Sequence, residues 1–95
     1  MADTYTVTLH QDDLTFQNGN EFDWSEGQIS YLVNYAISNS EIGIDPQSDF
    51  KNFAVSEINP GIGYSKAAYI ESESGYFIVS EDMMLHLNVV FSRWD

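Results

Sequence analysis

The side chains able to do chemistry in this chain are few and far apart. His10 and His86 could ligate a metal through imidazole, but neither has a second His near it in the sequence. A structural metal site needs three or four converging ligands, so both are expected to be ordinary residues on the outward parity of strands. Carboxylate pairs occur at Asp12-Asp13, Glu71 with Glu73, and Glu81-Asp82. General acid–base work needs one carboxyl in an apolar pocket, where desolvation raises its pKa. These pairs read as turn residues, where water keeps both groups ionised. No Asp-x-Asp-x-Asp-Gly loop is present to hold calcium. Gly61-Ile62-Gly63 lacks a third glycine, a lysine and a following helix, so it reads as a turn and not as a phosphate cradle. The eleven serines stand in no recognisable order with His and Asp partners for nucleophilic catalysis. With no Cys, disulfides and thiolate metal sites are excluded. The expectation is a non-enzymatic chain with no catalytic residue, cofactor or dedicated metal.

What stands out instead is charge. Asp3, Asp12, Asp13, Glu21, Asp23, Glu26, Glu41, Asp45 and Asp49 occupy the first fifty residues without one Lys or Arg among them. Lys51, Lys66 and Arg93 all come later, and the formal net charge is -12. Such a surface repels itself and repels nucleic acid and anionic lipid alike. It suits a basic partner, or one that normally holds a polyanion. Solubility or a salt-loving host would also explain acidity, but six Phe and many Ile fit halophily poorly.

Elements must position these groups. The 95 residues make one domain, 1–95, and 43% apolar with 15% aromatic content is enough for a core. Tyr5, Val7 and Leu9 alternate with Thr4, Thr6, Thr8 and His10, which predicts a half-buried strand with a neutral, threonine-rich outer face. Leu14 and Phe16 resume the alternation, and a hairpin centred on Gly19 would pair Phe16 with Phe22. Ser25 is placed to cap a helix, with Gln28 completing a capping box and Trp24 and Ile29 forming a hydrophobic staple. Ile29, Leu32, Val33, Ala36 and Ile37 then recur at helical spacing. That helix is expected to end near Asn39 or Ser40, with Gly43 just beyond. Its opposite face, Ser30, Tyr31, Asn34 and Ser38, carries no charge, and Tyr35 lies four residues from Tyr31 beside it.

Strands are expected over Phe50 to Ile58, Lys66 to Glu71 and Tyr76 to Ser80, the last two joined as a hairpin through Ser72-Glu73-Ser74-Gly75. Tyr76-Phe77-Ile78-Val79 is apolar on both faces, which places it centrally in the sheet. The tail admits a helix bearing Met83, Met84, Leu87, Val90 and Phe91, but Val89-Val90-Phe91 favours a strand alternating through Leu85, Leu87, Val89 and Phe91. The fold class is α+β: one amphipathic helix packed on an antiparallel sheet of about five strands.

For function, evenly scattered carboxylates would lie roughly 19 Å apart on a molecule of this size, far wider than the charges of a nucleic-acid backbone. Mimicry of a polyanion therefore demands a stripe. Asp12, Asp13, Glu21, Asp23 and Glu26, then Glu41, Asp45 and Asp49, are the residues expected to form it, with Tyr31 and Tyr35 as aromatic anchors. Short, acidic, Cys-free chains of this kind are similar in composition to phage anti-CRISPR and anti-restriction proteins. On that analogy the chain is expected to inhibit a nuclease or DNA-handling protein by blocking its basic groove. An immunity protein neutralising a basic toxin has the same physics, and a module that assembles through its neutral faces, as a homodimer for instance, is a third reading. No basic-then-apolar leader opens the chain and no apolar run reaches membrane-spanning length, so the cytoplasm, or a host cytoplasm for a viral protein, is the expected location.

Overall fold

In a computed structural model, residues 4–10, 22–58, 65–81 and 86–94 are described. The alternation read for the first segment makes Thr4–His10 a strand, β1. One helix follows, α1 at Glu26–Ser38. Then come β2 (Lys51–Ile58), β3 (Ser65–Glu71), β4 (Gly75–Glu81) and β5 (His86–Arg93). All neighbours are antiparallel in the order β1-β5-β4-β3-β2. The α+β class and the five strands agree with the sequence. The tail is a strand and not a helix: its β-branched run pairs with both β1 and β4. The hairpin expected around Gly19, and Met83 and Met84, lie outside the described residues.

β1 and β2 are consecutive strands at opposite edges, so the chain must cross one face of the sheet between them. α1 makes that crossing and buries Ile29, Leu32, Val33, Ala36 and Ile37 there. Facing them are Ala68 and Ile70 of β3, Phe77 and Val79 of β4, and Leu87, Val89 and Phe91 of β5. These strand residues share one parity, as the registers Ala68↔Val79 and Phe77↔Phe91 require. Phe77 and Phe91 sit at the centre with rings 4.7 Å apart, and Tyr5 and Phe50 flank them. β4 is the middle strand, as its apolar character implied. Only one of its faces is covered, however. Among the described residues no helix covers the other face, and Ile78 is 39% exposed there.

The start of α1 departs from a standard capping box. Ser25 has extended backbone and its hydroxyl accepts from Gln28 N–H at 3.3 Å, as expected. The Gln28 side chain, though, accepts from the Asp23 N–H at 2.6 Å, and the Ser25 N–H donates to the Asp23 carboxylate at 2.9 Å. Trp24 between them has φ 62, a left-handed conformation that turns Asp23 back over the helix end. Burial of the Trp24 ring against Phe22, 4.8 Å between centroids, and the surrounding hydrogen bonds hold this conformation. At the other end Asn39 closes the helix, and its N–H and side-chain amide both donate to Tyr35 O. Gly43, at φ 80, lies further on in the following turn and is not the stop.

Gly75 is required at the β3–β4 turn for space. A Cβ there would stand 2.2 Å from Ser92 O and 2.6 Å from the Phe91 ring. Gly75→Ala is expected to destabilise the fold by about 1–3 kcal/mol through overpacking. Ser25→Ala should cost about 1 kcal/mol by removing the cap. Denaturant unfolding of both variants checks this, and an unchanged midpoint in Ser25→Ala would show that the Asp23–Gln28 bond alone sets the helix start.

Candidate partner-binding surface

The acidic candidates are sorted by the crossing of α1. Asp23 and Glu26 lie at its N-terminal end, and Glu41 lies just past its C-terminal end. The chain then doubles back. The Asn34 side chain accepts from Gln47 N–H at 2.8 Å and donates to Gln47 O at 2.9 Å, tying the loop to the middle of the helix. Asp45 and Asp49 flank Gln47 and are therefore carried alongside α1 and not away from it. All five carboxylate residues are exposed. Glu26 is in the first turn of a helix of 13 residues, about 20 Å long at 1.5 Å per residue, and the other four lie in the segments that flank it. Asp12, Asp13 and Glu21 lie outside the described residues.

The bases lie on strands, and Arg93 reaches the segment that carries Glu41. Lys51 is opposite Glu71 and Lys66 is opposite Glu57 across the β2–β3 ladder. Arg93 donates to Ile42 O at 3.0 Å and stands 5.5 Å from the centre of the Phe91 ring. The two acids opposite Lys in register are not among the candidates.

Asp23 has a second duty. Hydrogen bonds from Ser25, side chain first and backbone next, hold its carboxyl below the ordinary carboxylate range despite the opposing effect of burial. It shapes the helix start as well as charging it. The neutral helix face is likewise partly used. Asn34 anchors the loop and Tyr35 packs on the core, while Tyr31 is 41% exposed with its ring 6.3 Å from that of Tyr35.

Two features were not anticipated from the residues. The first is an aromatic row on the sheet face opposite α1. Tyr69, Tyr76 and Trp94 follow one another at 5.6 and 5.3 Å, with Ile78 and Val90 beside them by register. Trp94 is fixed by its indole N–H on Ser72 O at 2.9 Å, and it is 42% exposed. Strand parity places Thr4, Thr6 and Thr8 on this same face, whose charged pair is Lys51 and Glu71. The available signal was the single helix: Tyr76 and Ile78 are apolar at the parity it cannot cover. The second feature is that His10 and His86 are register partners on this face, with rings 5.3 Å apart.

Glu71 is a strand-end residue and not a turn residue, and its environment is the reverse of what a general acid needs. Tyr69 Oη donates to it at 2.5 Å and Asn52 at 2.7 Å, so its carboxyl is lowered, with Lys51 adding to the effect. In return that hydrogen bond pushes the Tyr69 phenol up to about 12. The linkage signs differ. The Glu71 contribution is present above the ordinary carboxylate range and is lost as pH falls through its lowered value. The Tyr69 contribution is present below the ordinary phenol value of 10.0 and is lost as pH rises through about 12. A Tyr69 ring resonance titrating near 12 and shifting downward in Glu71→Gln is the expected result; the same midpoint in both proteins would remove Glu71 as the cause.

Among the described residues no group of three or more His, Asp or Glu is placed to hold a metal ion, and no helix is long and apolar enough to cross a membrane. The chain matches no protein-family model, no curated protein and no solved structure.

Proposed function

We propose that this protein is a non-enzymatic inhibitor that presents the acidic flank of α1 to the basic nucleic-acid groove of a nuclease or DNA-handling protein, in the manner of phage anti-CRISPR or anti-restriction proteins. The observation that carries this reading is the segregation of charge. Asp23, Glu26, Glu41, Asp45 and Asp49 accompany one helix, and Lys51, Lys66 and Arg93 lie on the strands. Fifteen carboxylates spread evenly over 5958 Å² would be roughly 20 Å apart, whereas Glu26 in α1 and Asp23, Glu41, Asp45 and Asp49 in its flanking segments accompany a helix of about that length. Opposite fields of this kind speed encounter and weaken with salt. Carboxylates replace phosphates against Lys and Arg, and Tyr31 supplies an aromatic anchor.

Full-length protein immobilised and exposed to lysate of its natural host should retain a basic nucleic-acid-binding protein at low salt and release it at high salt or on addition of duplex DNA. Glu41→Lys, Asp45→Lys and Asp49→Lys together should slow association about tenfold or more at low salt. This set leaves the Asp23 cap intact, so a failure of binding is not a failure of folding. Asp12→Lys, Asp13→Lys and Glu21→Lys form an independent second set. Capture that ignores both sets and ignores salt would remove the polyanion reading.

A second reading, self-assembly, is favoured by the open sheet face. Tyr69, Tyr76, Trp94 and Ile78 form an aromatic surface with Lys51 balancing Glu71, where two copies could meet with the acidic flanks turned outward. Tyr and Trp are enriched at interfaces and charged residues are depleted. Light scattering discriminates: a stable dimer lost in Trp94→Ser, without affinity for a basic partner, supports assembly over inhibition.

A further inference from the structure

We propose that His10 and His86 form a two-imidazole chelate for a late first-row divalent metal ion, with Cu2+ the tightest and Ni2+ and Zn2+ weaker. The two residues are distant in sequence but directly opposed in the β1–β5 ladder. In an antiparallel pair, residues in register place their Cβ atoms about 4.5–5.5 Å apart on one face. That face is the one opposite α1, so an ion reaches it without displacing the core.

Two imidazoles bound to one ion through metal–nitrogen bonds of about 2.1 Å have ring centroids about 4.5 Å apart at adjacent corners of a tetragonal Cu2+ site and about 5 Å apart at a tetrahedral one. The His10 and His86 centroids are 5.3 Å apart, with the ring planes at 79°. A separation close to what chelation needs is therefore already present between register partners. What remains is rotation about the final ring torsion, which is broad and soft for histidine. The neighbouring rung fixes the register on the same face, because Thr8 Oγ1 donates to Asn88 Oδ1 at 2.8 Å. Imidazole pairs select Cu, Ni and Zn over Mg and Ca, and affinity follows the Irving–Williams order. With two protein ligands and water completing the shell, the site is an exchangeable chelate and not a closed structural zinc centre.

The test uses the whole chain. Titration calorimetry with CuCl2, NiCl2, ZnCl2 and MgCl2 is run on the native protein, His10→Gln, His86→Gln and the double variant. The expected result is one Cu2+ per chain, weakened about a hundredfold by either single substitution, as loss of one arm of a chelate produces. Mg2+ binding, which carboxylates supply, should be the same in all four proteins. Paramagnetic resonance of the Cu2+-loaded protein should show two coordinated imidazole nitrogens in the native chain and one in each single variant, a readout that folding stability alone does not mimic. Cu2+ affinity unchanged in both single variants, a loss confined to one of them, or a spectrum with oxygen ligands only would overturn the proposal.

Discussion

One helix covers one face of the sheet, and the rest of the molecule follows from that limit. The stripe of Ile29, Leu32, Val33, Ala36 and Ile37 meets Phe77, Phe91, Leu87, Val79, Val89 and Ile70 in a single layer of contact. A chain of charge -12 works against its own compactness, so this layer must hold it closed. The aromatics are concentrated accordingly. Phe77 and Phe91 meet at the centre, with Phe50 and Tyr5 against their edges. Gly75 admits the close approach of β5 at the same point. Among the described residues no second helix covers the other face, and that face is the one whose composition must tolerate water.

The same crossing sorts the charge. α1 and its flanking segments come from the half of the sequence without Lys or Arg, whereas β2, β3 and β5 come from the half with all three. Sequence order thus becomes spatial polarity because β1 and β2 are held at opposite edges. The Asn34–Gln47 pair strengthens the effect by bringing the following loop, with Asp45 and Asp49, back to the helix. Had that loop run outward, the acids would have been dispersed.

Much of this was legible beforehand, for identifiable reasons. Strict alternation in Thr4–His10 and helical spacing from Ile29 to Ile37 are strong signals because burial on one face enforces them. The cap at Ser25 was legible as well, since hydroxyl capping depends on adjacent residues alone. Its detail was not: the left-handed Trp24 redirects Gln28 to the Asp23 N–H, and that conformation goes with burial of the neighbouring Trp24 and Phe22 rings in the core, which depends on the tertiary fold. The end of α1 was legible too: the helix stops at Ser38 and Asn39 caps it, satisfying Tyr35 O with two donors, with Gly43 beyond. Strand order was the largest gap. His10 and His86 could be assigned an outward parity, but only the pairing of β1 with β5 makes them neighbours. The aromatic row needed the same information, since Tyr69, Tyr76 and Trp94 come from three separate stretches brought side by side.

Two surfaces of different physics result. On the helix side the chemistry is long-range: carboxylates act through their summed field, any sufficiently basic groove responds, and salt erases the attraction. On the open face it is short-range, set by ring stacking, hydroxyls and the imidazole pair, and largely indifferent to ionic strength. A divalent ion illustrates the division. By donor preference, carboxylates suit Mg2+, whereas an imidazole pair of the kind proposed for His10 and His86 suits Cu2+. Because the sheet lies between them, a ligand on one surface need not obstruct the other. Occupying the open face would also leave the acidic flank of α1 accessible, so assembly through the aromatic row and capture of a basic partner are compatible within one molecule.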